Sequence, residues 1–402
     1  MKLYQKLFLC FLLLVLPTLL WAGDFGLIAD QNATLEKSGG EEKLEYTGLI
    51  IPRFSFNAGK NTDFYFSFGF KINYRDGSLF MFEMLRTDVT FRFGSAGLRA
   101  GRMYYSDPLG CIAFGLFDGA RFSADTRAGT FGLGGWYTGL LFKKRARINM
   151  SIQESIFVAA PYSFGDPLDN YFAPPHLVAA LDWENHGTGG FIGARAALIG
   201  QFDLRNEAAL AGEDRLHSQY LAVNLNFPLR NFILDLGGCL SLIEQSGDTK
   251  IAIAGTLGAA WLPPASFDSR LSFLGNFSSG VIDGSRITAF IPVTSKAQGE
   301  ILNANLSGLS ALTLDYTARL HRDFSVSLSS AYIIRSDLGT YKAYSSDGWF
   351  LGNEFYWKFF WSPFSDLYIN LGGGIFLFSM GDSASQAKPI WRVDLTAILS
   401  LY

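Results

Sequence analysis

Four histidines, two cysteines past residue 22 and scattered serines are the groups here that could take part in catalysis. His176, His186, His217 and His321 could serve as acid–base groups or metal ligands. None stands at i,i+4 or metal-finger spacing from another ligand. The "HS" at 217–218 puts base and nucleophile on opposite faces of an extended segment, so the two cannot form a Ser–His pair. No G-x-S-x-G occurs, and lone clusters such as "GTGG" and "GGG" relieve crowding or allow bends. Cys111 and Cys239 read as small packed residues, although an exported compartment would permit a disulfide. No enzyme and no cofactor is expected. What remains is a series of arginines whose spacing matters more than their neighbours.

That spacing comes from the elements that carry them. In "NTDFYFSFGFKINYRDG" (61–77), Phe64, Phe66, Phe68, Phe70, Ile72 and Tyr74 alternate with Ser67, Gly69, Lys71, Asn73 and Arg75. Such alternation is a β-strand with one apolar and one polar face. Related segments lie at 44–57, 78–93, 97–105, 112–124, 129–142, 146–159, 174–184, 189–203, 216–227, 231–244, 249–261, 268–278, 310–321, 323–335, 349–361, 366–378 and 389–402. Connections read back from the C-terminus alternate long and short: "GDSASQAK" then "SPFSD", "SDLGTYKAYSSDG" then "HRD", 279–309 then "PPASF".

Only 17% of the 402 residues are charged and 15% are aromatic, with 37 Phe and 43 Gly; the mean hydropathy is +0.18. That is too apolar for disorder. Yet past residue 22 no apolar run reaches the ~20 residues of a spanning helix. A transmembrane barrel resolves the conflict, since its strands need about 9–11 residues with every second one facing lipid. The expected fold is all-β: a single transmembrane antiparallel β-barrel of 16–18 strands over 44–402. Residues 1–22 read as a signal peptide, "MKLYQK" followed by an apolar run, with cleavage near Ala22. Residues 23–43 read as an N-terminal periplasmic segment. The net charge of −3, or −5 without Lys2 and Lys6, and the lack of a basic stripe exclude a nucleic-acid partner.

Three places strain the pattern. Pro52 predicts a bulge or strand end. The apolar phase shifts near Met84–Arg86, predicting a bulge that lets Glu83 and Arg86 share a face. Glu154 falls on the apolar parity of its segment. The last strand, "WRVDLTAILSLY", sets Trp391, Val393, Leu395, Leu399 and Leu401 against Arg392 and Asp394, with Tyr402 out of phase. It resembles the terminal strand read by the barrel-insertion machinery.

With the apolar face toward lipid, the other face lines the lumen. Lys71, Arg75, Arg86, Arg92, Arg99, Arg121, Arg147, Arg195, Arg319 and Arg392 are candidate pore-lining cations; Asp315, Glu354 and Asp394 are candidate pore-lining acids. Arginine ladders enrich anions and slow cations; pairing with the inward acids would instead only solvate the wall.

"GRMYYSDPLGCIAFGLFDGAR" (101–121) and "LGNEFYWKFFWSPFSDLYINLGGGIFLF" (351–378) resemble strand pairs of bacterial porins of the alginate-export type. The resemblance implies a single-chain barrel in a diderm outer membrane with an Arg-lined conduit for anionic solutes. By position it points to Arg102, Asp118, Gly119 and Glu354, with Arg102 on the apolar parity of its strand. The expectation is a porin-like channel for passive diffusion of small hydrophilic solutes, anions preferred, with loop 279–309 a constriction if it folds inward. Its partners would be membrane lipid, small solutes and the insertion machinery. The alternatives are a hydrophobic-substrate transporter plugged by 23–43, and a surface adhesin or structural barrel that transports nothing.

Overall fold

The computed structural model describes residues 23–74, 78–162, 170–185, 192–264, 267–281, 287–337, 348–378 and 388–401. Eighteen antiparallel strands form one closed sheet. In chain order they are β1 (Gly23–Ser38), β2 (Glu41–Asn57), β3 (Thr62–Tyr74), β4 (Ser78–Phe93), β5 (Ala96–Ser106), β6 (Phe114–Thr126), β7 (Gly129–Tyr137), β8 (His176–Glu184), β9 (Gly193–Asp203), β10 (Leu216–Leu229), β11 (Phe232–Gln245), β12 (Asp248–Trp261) and β13 (Asp268–Ser278). A two-strand hairpin, β14 (Ala297–Gln298) and β15 (Ala304–Asn305), interrupts the series. The wall resumes with β16 (Leu309–His321), β17 (Phe324–Arg335), β18 (Phe350–Phe364), β19 (Leu367–Phe378) and β20 (Ile390–Leu401).

Each strand pairs with its neighbours in sequence, and β1 closes on β20 from Leu27↔Leu401 to Ser38↔Ile390. The residues that alternate in sequence point outward: Phe80, Leu133, Leu198, Leu240, Leu328 and Leu395, from six strands, are all exposed. Closure gives every wall strand a partner on both sides, which is what a lipid-spanning sheet requires. The opening stretch lies in β3, where Phe64 stacks on Phe56 of β2 at 4.6 Å. Long connections cluster at the end opposite the termini, and turns such as 94–95 and 365–366 lie at the terminal end.

Two expectations about elements are corrected. Residues 23–38 form strand β1, not a separate periplasmic segment, so the barrel begins at Gly23 instead of residue 44. Its outward face, with Phe25, Leu27, Ala29, Gln31, Ala33 and Leu35, is interrupted by Gln31 and diluted by alanine, which hid the alternation. Segment 146–159 is no strand. It holds the end of α1 (Lys143–Ala146) and α2 (Ile152–Ala159). Ser151 and Glu154 make a capping box on α2, so Glu154 occupies its third position and does not sit on a lipid face. The two corrections cancel in the count of eighteen. The bulge near Met84–Arg86 is present as a register shift between Phe66 and Phe68 opposite it. Pro52 makes none: pairing with β3 skips Ile51 and Pro52 and resumes in the same register. Residues 1–22, Arg75, His186 and Tyr402 lie outside the described residues.

The core sits inside the barrel. Ala180, Ala197, Ala222, Ala252 and Ala254 of the wall pack with Leu109, Ile112, Ile148, Phe290 and Leu306 from three connections. The inward faces of this half are small because loops occupy the space beside them.

Candidate functional site: a lumen narrowed by three loops

The first loop is the top of the β5–β6 hairpin. Gly101 and Gly115 have φ of 117° and 116°, values that side chains resist, and lie where the hairpin turns into the lumen. Beyond them Met103, Phe117, Cys111, Ile112 and Ala113 are almost wholly buried. Leu109 packs against Gly237 of β11, five strands round from β6. Asp107 shapes the tip by accepting from Leu109 N (2.8 Å), Ile112 N (2.9 Å) and Ala113 N (3.0 Å). Burial raises its carboxyl above the ordinary value despite these bonds.

The second loop crosses the interior over its described residues 287–308, which meets the condition for its being a constriction. Thr288 N donates to Ile251 O on β12, and the Tyr220 hydroxyl of β10 donates to Ile291 O at 2.6 Å. Thr294 N then meets Ile112 O of the hairpin tip, and Ser295 N meets Arg147 O. On the far wall, Glu354 of β18 accepts from the backbone N–H of Glu300, Ile301 (2.9 Å) and Leu302 (3.2 Å). Lys358 pairs with Glu300 at 2.6 Å, and Arg392 donates to Glu300 O at 3.0 Å.

The third connection joins β7 to β8 and carries α1 and α2. Its anchor is a buried polar cluster. Glu154 accepts from Met150 N (2.7 Å) and lies 2.8 Å from His176 Nε2; Arg205 bonds both Asp203 (2.7 Å) and Glu154 (3.2 Å). Burial alone would raise the Glu154 carboxyl; the His176 hydrogen bond and the His176 and Arg205 charges hold it below its ordinary value. Glu154, His176 and Asp203 are close enough together to resemble a metal site. The Arg205 guanidinium already supplies the positive charge between the two carboxylates. From His176 a chain of contacts continues through Gln201, Ser218 and Tyr220 to Ile291 O, linking the third loop to the second.

Beside these loops, β3–β6 carry a set of inward cations. Arg99 binds Asp88 bidentately (2.8 Å, twice), and Arg86 binds the same carboxylate at 2.7 Å while lying over the Tyr65 ring. Arg121 stands opposite Arg99 in register and pairs with Asp182. Arg145, from the third loop, pairs with Glu83, and Arg92 pairs with Asp63. The acids lie beneath: Asp88 and Glu83 are each 1% exposed, whereas Arg86, Arg99 and Arg145 are 42%, 29% and 36% exposed.

The other residues singled out by sequence are dispersed. Lys71 is half-buried on β3, near Glu83 and Arg145. Arg195 and Arg319 lie toward the terminal end of their strands, and Asp315 is half-buried on β16. Arg147 belongs to no strand; it caps α1. Glu354 is buried and serves as an anchor for the second loop, and Asp394 is buried under Arg392, Tyr356 and Thr34. Arg102 and Asp118 pair bidentately at 2.8 Å on the outward parity of β5 and β6, beside Gly119. Sequence reading missed Arg145, Glu154 and Arg205 as site residues because they lie off the strands and carry no parity, whereas Lys358, four residues after Glu354 on β18, could have been placed inward by parity.

No protein-family model matches the sequence, and no curated protein matches it. Solved structures do. OccK2 (OpdF) of Pseudomonas aeruginosa is 13% identical with a TM-score of 0.61, covering 94% of this chain and 97% of that one. OccK11 (OpdR) of the same organism is 11% identical, TM-score 0.60, over 94% and 96%. Its outer-membrane protein OprD is 11% identical, TM-score 0.59, over 94% and 94%. OccK2 has also been solved with glucuronate. The likeness shows that this chain has the fold of these outer-membrane barrels; none of these structures is of the alginate-export type.

Proposed function

We propose that the protein is a passive channel in the outer membrane of a diderm bacterium, admitting small hydrophilic solutes and favouring anions. The observation that carries the reading is the layering of charge on β3–β6: carboxylates buried, guanidinium groups outermost. A solute passing this wall meets cations first. Arg86 and Arg99 share one carboxylate, so the cluster has a net positive charge before Lys71 is added. Three inward loops narrow the lumen, and the third reaches this wall where Arg145 meets Glu83. The glucuronate complex of OccK2, a fold relative, fits a carboxylate as one solute class.

In this reading the pore-lining set is Lys71, Arg86, Arg92, Arg99, Arg121 and Arg145, with Arg195 and Arg319 at the terminal mouth. β20, with its outward Trp391, Val393 and Leu395, is the strand offered to the insertion machinery, and cleavage near Ala22 would free β1 to close the barrel. The plugged-transporter alternative loses its plug, since Gly23–Ser38 is wall. The test is solute efflux from proteoliposomes containing the mature chain. Glucuronate should leave several-fold faster than neutral glucose; equal rates would remove the arginine argument, and no efflux of either would remove the channel.

A further inference from the structure

The wall is incomplete between β4 and β5. Their ladder runs from Phe93↔Ala96 to Thr87↔Arg102 and stops, because β5 turns into the lumen just past that point. Among the described residues, no ladder pair joins β4 above Thr87 to β5, while β4 continues to pair with β3 as far as Ser78. An open strand edge at membrane depth must be covered. Here it is covered by side chains. Arg102 donates to Met84 O at 2.6 Å, and the Tyr171 hydroxyl donates to Phe82 O at 3.3 Å. Arg102 also holds Leu140 O at 2.8 Å, and Arg145 holds Glu83. The covering pieces, around Leu140–Phe142 and Tyr171–Phe172, belong to the third loop and are joined by a bridge between Phe142 and Phe172.

The two sides of this seam differ in chemistry. Outward, Phe80, Phe82, Met84 and Leu140 are exposed and apolar. Inward, Lys71 and Arg145 lie beside buried Glu83. Opening the seam breaks these side-chain bonds and lifts the buried Leu141 and Phe142 from their packing, but it breaks no β4–β5 ladder bond. We propose that the seam is a lateral portal between lumen and membrane for single-chain amphipathic carboxylates. The head group would be met by Lys71 and Arg145, and the chain would pass between Leu140–Phe142 and the β4 edge. The proposal rests on the barrel spanning a membrane, as in the proposed function, and adds an exit that small hydrophilic solutes do not use.

The test uses the mature chain in lipid and a ten-carbon carboxylic acid with a diazirine at its far end. Met84→Cys and Leu140→Cys are introduced together, since one guanidinium touches both backbones, and joined by a short, reducible thiol cross-linker; the native Cys111 and Cys239 are buried. Photolabelling of Phe142 and Tyr171, displaced by decanoate and not by decane, is expected before cross-linking. It should fall at least tenfold when the seam is tied and return on reduction, while small-anion conductance stays within twofold. Labelling confined to the lipid-facing Phe80 and Phe82, or unchanged by the cross-link, would overturn the proposal. A parallel fall in conductance would also overturn it, because the segment would then gate the main pore. Seam-dependent labelling of a non-conducting protein would sink the channel reading and leave the portal standing.

Discussion

Replacing Asp88 by asparagine changes the lumen charge with little change of shape. Its carboxylate, 1% exposed, holds Arg86 at 2.7 Å and Arg99 at 2.8 Å. The cluster carries +1, and Asp88→Asn makes it +2 while the amide oxygen still accepts from one guanidinium. Both arginines keep substantial access to water, so screening limits the lost charge-assisted bonds to about 1–2 kcal/mol in total. That is too little to unfold a barrel closed by eighteen strands. The electrical effect is larger. One extra unit charge about 4 Å from a monovalent ion in water-like surroundings shifts its energy by ~1 kcal/mol. Salt at physiological strength screens beyond about 8 Å. An anion at the cluster should gain roughly twofold to fivefold and a cation lose as much. In a planar bilayer under a salt gradient, the reversal potential should move toward the anion limit, and Arg99→Gln should move it back. A reversal potential that stays fixed, or shifts toward cations, would refute the claim that permeating ions pass this wall.

Other perturbations separate the parts. Glu354→Ala orphans three backbone N–H groups of the crossing loop; at about 1–3 kcal/mol each before water relieves them, the loop should detach, raising single-channel conductance and noise without loss of the heat-resistant barrel on gels. Tyr220→Phe removes the donor to Ile291 O and should cost about 1 kcal/mol, visible as faster amide exchange near Ile291. Gly101→Val places a side chain at φ 117°, where its Cβ would lie 2.3 Å from Thr87 O; the hairpin should fail to fold inward, and refolding yield should fall. Glu154 is depressed below its ordinary value of 4.5, so its hold on α2 is complete above that pH and is lost as pH falls through the lower, folded value. Limited proteolysis of the 138–162 segment should therefore be unchanged from pH 7 to 5 and rise only in stronger acid.

The wall was legible because lipid on one side and water on the other force a period of two. Phe64–Ile72, Ile251–Trp261 and Trp391–Leu401 carry that period plainly. Strand β1 did not, since alanines and Gln31 dilute its outer face. The phase shift at Met84–Arg86 was readable because Glu83 and Arg86, three residues apart, cannot both turn away from lipid without a bulge. The loops were not readable. Ile152 and Ile156 of α2 imitate strand alternation over a short window, and the lumen crossing of 287–308 depends on the distant anchors Tyr220, Ile112 and Glu354. The arginines were placed inward by parity alone, but their order with respect to the acids needed the fold: nothing in "TDVTFRF" says that Asp88 lies beneath Arg86 and Arg99.

The most direct test of the account is the single-channel current of the mature, refolded chain in a planar bilayer under a salt gradient. Discrete steps with a reversal potential on the anion side are predicted. A correctly folded barrel that carries no current, or steps that select cations, would contradict it.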